Sequence, residues 1–173
     1  VSVGPDGATH QALEDLGLMR MLPHMTVINP CDAEEARKAT LWAAKSGTPV
    51  YIRLGREKTP VITTKDTPFE FGKSQIFWKS PDPKVAIVST GALTHNALMA
   101  AKELSEEGIQ TVVINLPFVK PIDMAMIEYV GKIGRVVTVE EHQTAGGMGS
   151  AVAESLSANN PAFIEFVGVH DQF

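Results

Sequence analysis

An aspartate and a histidine four positions apart, Asp6 and His10, stand in the run Gly4-Pro5-Asp6-Gly7-Ala8-Thr9-His10-Gln11 near the start of the chain. An ionised aspartate accepts hydrogen bonds from hydroxyls, and an imidazole exchanges a proton near neutral pH. The pair suits a hydroxylated, anionic small molecule. A pocket built to bond a hydroxyl rejects analogues lacking it, because its buried polar groups would stay unpaired. The stretch runs into an amphipathic helix, and if that helix begins at Ala8 or Thr9 its first-turn N–H groups and dipole face the same space. The same residues also read as a tight turn followed by an ordinary first-turn histidine.

A second pair follows. Arg53 and Arg56 lie three apart at the end of a predicted strand over 50–54, where open α/β sheets place their ligands. A guanidinium can bond two phosphate oxygens at once. Arg56 is the first candidate for a phosphate ligand and Arg53 the second; the alternative is that one of them pairs with a nearby carboxylate.

Other residues carry weaker signals. The run Gly146-Gly147-Met148-Gly149-Ser150 could form an anion nest, but glycines at a strand–helix junction serve tight turning and close packing, and that is the expectation here. Glu140, Glu141 and His142 are expected to be surface or interface polar groups, since no second half of a metal-ligand pattern accompanies them. His24, His95 and His170 are isolated. Cys31 precedes a predicted helix, which would lower its pKa slightly; no partner base is evident, and a structural role is expected.

The elements that must position these groups alternate short β-branched runs with helical stretches, the signature of βαβ units and a parallel sheet. A strand over 26–29 leads to a helix capped by Asp32, with Glu35 at its third position, ending around Ser46-Gly47 before Pro49. The strand over 50–54 follows. From Gly55 to about Pro83 the periodicity lapses, with one strand expected over 72–78. Alternation then resumes with strands over 85–89, 111–115, 136–140 and 162–167. Helices are expected over about 94–107, from Asp123 to near Gly131, and after Gly146-Gly147. The expected fold is α/β, with a domain half over 1–57, a linker over 58–83, and a small doubly wound, mostly parallel domain over 84–173.

At 173 residues the chain can bury one good core or two small ones. An apolar share of 44% with 20% charged residues is ordinary for a globular protein. The net charge of −5 and the lack of a Lys/Arg run argue against nucleic acid as a partner. No stretch approaches the roughly 18 apolar residues of a membrane span, and no signal peptide is evident. The single cysteine excludes an internal disulfide and fits a reducing compartment, so a cytoplasmic protein is expected. The chain opens at Val1 without an initiator methionine, and it reads as a section of something longer.

The opening string through Arg20, with 23–36 after it, resembles the second half of the pyrimidine-binding domain of transketolases. The Asp-Gly-x-Thr-His-Gln core is shared with deoxyxylulose-phosphate synthases and, more distantly, is similar to that of 2-oxo-acid dehydrogenase beta subunits. The segments Pro49-Val-Tyr-Ile-Arg-Leu-Gly-Arg56 and Glu140-Glu-His-Gln-Thr-Ala-Gly-Gly-Met-Gly-Ser-Ala-Val152 extend the resemblance over essentially the whole chain.

The resemblance implies a section of a thiamine-diphosphate-dependent transketolase moving two-carbon ketol units between sugar phosphates. Asp6 would bond the substrate hydroxyl beside the reacting carbonyl, His10 would hold the ketose near the thiazolium, and Arg56 would grip the phosphate. In the synthases both arginine positions are arginine, as here. The diphosphate and Mg2+ are held in this family by a Gly-Asp-Gly…Asn stretch that this chain lacks, and the activating glutamate and stacking aromatics precede the matched half. The section is therefore expected to be inactive alone. Its implied partner is a diphosphate-binding N-terminal section, in a homodimer or dimer of heterodimers. The alternatives are a section of a deoxyxylulose-5-phosphate synthase, a 2-oxo-acid dehydrogenase beta-type subunit, or a non-catalytic dimerisation or ligand-sensing module.

Overall fold

The computed structural model describes Gly7 and residues 10–172. Two sheets share one core. The first helix, α1 (Asp15–Met21), leads to β1 (Thr26–Ile28), α2 (Ala33–Ser46) and β2 (Val50–Ile52). β3 (Gln75–Lys79), β4 (Val85–Ser89), α3 (Thr94–Glu106) and β5 (Thr111–Asn115) follow. The chain continues through β6 (Phe118–Lys120), α4 (Met124–Ile133), β7 (Arg135–Gln143), α5 (Met148–Asn159) and β8 (Phe163–Val169).

Local chemistry sets the helix ends. The Asp32 side chain caps α2 by accepting from the Glu35 N–H at 2.8 Å, and Gly47 closes it in the left-handed region at φ 68°. Asp123 caps α4 through the Ala125 N–H at 3.2 Å. This helix does not stop near Gly131, where the sequence pattern ends it, but runs on to Ile133. A Cβ on Gly131 would lie 2.5 Å from the Cβ of Asn160, so this glycine permits close packing rather than a stop.

The larger sheet has the order β3-β5-β4-β7-β8, with β5, β4, β7 and β8 parallel and β3 antiparallel at one edge. This is the doubly wound, mostly parallel arrangement that the alternation anticipated. The smaller sheet has the order β2-β1-β6. β1 and β2 are parallel, while β6, from the later half of the chain, joins antiparallel. β6 had no sequence signal of its own. Its three residues pair because β1 offers an open edge, and Phe118 is drawn into the core beneath.

The core crosses the boundary between the two regions. Leu16 and Val27 pack in one cluster with Val88, Ile114, Met148 and Leu156. The segment between β2 and β3 is strapped down. Phe71 stacks on Trp42 with ring centroids 5.0 Å apart, and both meet Phe118 edge-on. Lys38 Nζ donates to the carbonyls of Thr64 and Thr67, and Asp32 accepts from the N–H groups of Ile62 and Thr63. Among the described residues, no helix is long and apolar enough to cross a membrane.

Candidate functional site

The first helix begins beyond the Ala8 or Thr9 start considered from the sequence. α1 starts at Asp15, and residues 11–14 are not helical, so no helix runs through from Ala8 or Thr9. The reason is tertiary. The Ala12 carbonyl accepts from Arg53 Nη2 at 3.0 Å, and the Leu13 carbonyl accepts from the Gln143 N–H at 2.8 Å. Those carbonyls are committed across the fold rather than along a helix. His10 sits just before this segment in a short 3-10 turn, solvent-exposed, its N–H donating to Gly7 O at 3.1 Å. Asp6 lies outside the described residues.

The two arginines part ways. Arg53 directly follows β2, and its N–H continues the pairing with β1 by donating to Ile28 O at 2.8 Å. Its side chain is buried, and Nε donates to Asp15 Oδ2 at 3.0 Å. The Tyr51 hydroxyl donates to the same oxygen at 2.7 Å. Burial and that carboxylate push the Tyr51 phenol up to about 12. The sequence alternative of an arginine paired with a carboxylate thus describes Arg53. Arg56, three residues on, is exposed and lines a small cleft of about 180 Å³ with Lys58, Asn96 and Glu141.

A larger cleft of about 340 Å³ opens beside it, at the carboxyl ends of β1, β2 and β4. Asn29, Cys31, Arg53, Thr90 and Glu141 are among its lining residues. It is closed below by hydrogen bonds between the two sheets. The Gly91 N–H and the Thr90 hydroxyl donate to Asn29 O, and Asn115 Nδ2 donates to Glu35 Oε1 at 2.7 Å. Glu35 is buried, and burial holds its carboxyl above the usual range despite bonds from Cys31 and Asn115. Cys31 is buried, as a structural role requires, but its pKa moves opposite to the slight lowering expected from the helix terminus. Burial and the adjacent Glu35 carboxylate push its thiol strongly upward, so the helix terminus does not make it reactive.

The turn after β7 proves to be an anchor. Glu140 and His142 are not surface groups; both are buried. Glu140 accepts from the N–H groups of Met148 and Gly149 at 2.6 and 2.7 Å, capping α5 from a neighbouring strand. Burial still raises its carboxyl above its ordinary value. His142 Nδ1 lies 2.7 Å from Gln143 O, and its Nε2 accepts from the Gly17 N–H at 3.4 Å, an arrangement that fits the Nδ1–H tautomer. Arg20 Nη1 donates to the carbonyls of Gly146 and Gly147 at 2.6 and 3.0 Å. α1 is thereby clamped to the end of β7 and the turn after it, and with it the segment that follows His10. The glycines of that turn pack as expected: a Cβ on Gly147 would lie 2.3 Å from Glu140 Oε2.

That Asp15 and Tyr51 orient Arg53, that Glu140 caps α5 and that His142 holds α1 carried no local sequence signal. Asp15 lies 38 positions from Arg53, and His142 lies 125 positions from Gly17, beyond any local pattern. Among the described residues, no group of three or more His, Cys, Asp or Glu side chains could hold a metal ion.

Two family models match the sequence. The transketolase pyrimidine-binding domain matches residues 1–61, and the transketolase C-terminal domain matches residues 74–171. Among curated relatives, the chain is 36% identical over 174 residues to one of the subunits of an apulose-4-phosphate transketolase from Phocaeicola vulgatus, covering 99% of this chain and 55% of that protein. It is 40% identical over 169 residues to a 6-deoxy-6-sulfo-D-fructose transketolase subunit of Clostridium sp. strain MSTE9, covering 97% and 52% respectively. The chain therefore spans about half the length of these relatives. A solved split-gene transketolase, described as an inactive beta4 tetramer, is 46% identical with a TM-score of 0.90, over 95% of this chain and 55% of that one. The two family models together span most of the sequence, and the chain belongs to the transketolase family.

Proposed function

We propose that this chain is part of the C-terminal section of a split transketolase, which moves two-carbon ketol units between sugars with an anionic terminus once joined to a diphosphate-binding section. One observation carries the reading. Arg53 holds the segment just after His10 against the carboxyl end of β2, the strand end that leads to Arg56. A hydroxyl-handling imidazole and a phosphate-binding guanidinium are thus carried on two segments tied by one buried group.

In this reading Asp6 accepts from the donor hydroxyl beside the carbonyl, His10 donates to or takes a proton from a substrate oxygen, and Arg56 forks onto the terminal phosphate. Arg53 is the second candidate for that phosphate, and its pairing with Asp15 favours Arg56. The names of two relatives fit this site: one is named for a sugar phosphate, the other for a sulfo sugar, and both sugars present an anion to such a group.

Thiamine diphosphate supplies the thiazolium that accepts the ketol unit when bound. In this reading its diphosphate and Mg2+ are held by the partner section. The solved split-gene relative is described as an inactive beta4 tetramer, in keeping with a section that cannot act alone. The working assembly in this reading is a homodimer or a dimer of heterodimers.

The test is ketol transfer by the full-length protein with and without its partner section, thiamine diphosphate and Mg2+. Transfer from a ketose phosphate to an aldose phosphate by the pair alone is expected. Pyruvate consumption instead would assign a synthase, and no turnover by the saturated pair would assign a non-catalytic module.

A further inference from the structure

We propose that Arg53 is a positioning residue of the sugar site and not a ligand of the substrate phosphate; this rests on the transketolase reading above. The Arg53 side chain is only 5% exposed, and that of Asp15 is 11% exposed. Its Nε donates to Asp15 Oδ2 and its Nη2 to Ala12 O, each at 3.0 Å. The Tyr51 hydroxyl, two residues back on the same strand, holds the same carboxylate oxygen at 2.7 Å. The guanidinium therefore joins β2, the first turn of α1 and the backbone two residues beyond His10.

A forked grip on a phosphate through Nε and Nη2 would require breaking that pair and leaving the Asp15 carboxylate buried beside Tyr51 without its cation, which is strongly unfavourable. Arg56 faces no such obstacle of burial, since it is exposed on the cleft. The two arginines divide the work. Arg56 meets the anion, and Arg53 sets the placement of the His10 segment relative to the strand end that leads to Arg56. A displacement of about 1 Å at a reacting group can cost on the order of 100-fold in rate. Loss of Arg53 should therefore appear in kcat, whatever the sugar's terminus carries.

The experiment uses the full-length protein assembled with its partner section, thiamine diphosphate and Mg2+. Acceptor aldoses are compared with and without a terminal phosphate. R53K is expected to lower kcat by about 10- to 100-fold on both acceptors, while the ratio of their kcat/KM values stays within about twofold of wild type. R56K is expected to raise KM for the phosphorylated acceptor and to lower that ratio about tenfold or more. Amide deuterium uptake at residues 10–14 should rise in R53K and stay at the wild-type level in R56K. Asp15→Asn, which keeps the side-chain volume, should repeat the R53K pattern more mildly and serves if R53K does not fold.

A ratio that collapses in R53K as it does in R56K overturns the proposal, and so does a kcat within twofold of wild type. Either result leaves the transketolase reading in place, because the wild-type assembly is then active. A wild-type assembly that transfers no ketol unit removes that reading and this proposal together.

Discussion

Nε of Arg53 lies 3.0 Å from Oδ2 of Asp15, a buried ion pair joining the end of β2 to the start of α1. Removing one member of such a pair strands the other charge, whereas removing both does not. Arg53→Met is expected to cost about 3–5 kcal/mol, and the double variant Asp15→Leu with Arg53→Met less than the sum of the single changes. Urea denaturation of the four proteins of the cycle checks this. Additive costs would mean the pair is not coupled.

Asp32 ties α2 to the strap that follows β2. Burial opposes its ionisation, but bonds from Glu35, Ile62 and Thr63 prevail and hold its carboxyl below the ordinary 3.8. The stability it contributes is complete above that ordinary value and is lost as pH falls through the depressed native one. Asp32→Asn should cost about 2–3 kcal/mol at neutral pH, and the gap to wild type should narrow below about pH 4. Glu140, pushed upward by burial, titrates in both proteins and drops out of the difference. The Asp32 charge is the smallest of the causes that act on Glu35, so its contribution to the difference is minor. Denaturation midpoints at neutral and acid pH test the sign; a gap that widens on acidification contradicts it.

Gly147 stands where a Cβ would meet Glu140 Oε2 at 2.3 Å and His142 Nδ1 at 2.6 Å. Both neighbours are buried and hydrogen-bonded, so neither can yield cheaply. Gly147→Ala should destabilise the protein by about 2–3 kcal/mol through overpacking. Because Arg20 bonds the Gly147 carbonyl, the same change should loosen α1, read as faster amide exchange at Gly17. Thermal unfolding unchanged to within a degree would show that the turn can shift freely.

Cys31 is buried, and burial with the Glu35 carboxylate suppresses its thiolate. Cys31 should not react with a thiol reagent on the timescale of minutes in the native protein, and should react after denaturation, read by mass mapping of its peptide. Rapid modification of the native state would place the thiol on the surface of the cleft.

Much of this architecture was legible locally. The alternation of β-branched runs with helical stretches announced the parallel sheet, and Asp32, Gly47 and Asp123 marked helix ends because capping acts within three or four residues. The arginine pair at the end of β2 was legible too, as was the alternative that one of them would meet a carboxylate. Where α1 begins was not, because Ala12 and Leu13 give their carbonyls to Arg53 and Gln143, far along the chain.

The order of residue types alone carried the class of fold, through local alternation, and the resemblance to the family with the candidate ligands it implies, through motifs spread along the whole chain. Only the packed chain decided which arginine is buried, that β6 completes the first sheet, that Glu140 and His142 face inward, and that the Cys31 thiol is suppressed. Those outcomes depend on desolvation and on partners tens of residues away, and neither is encoded in any local window.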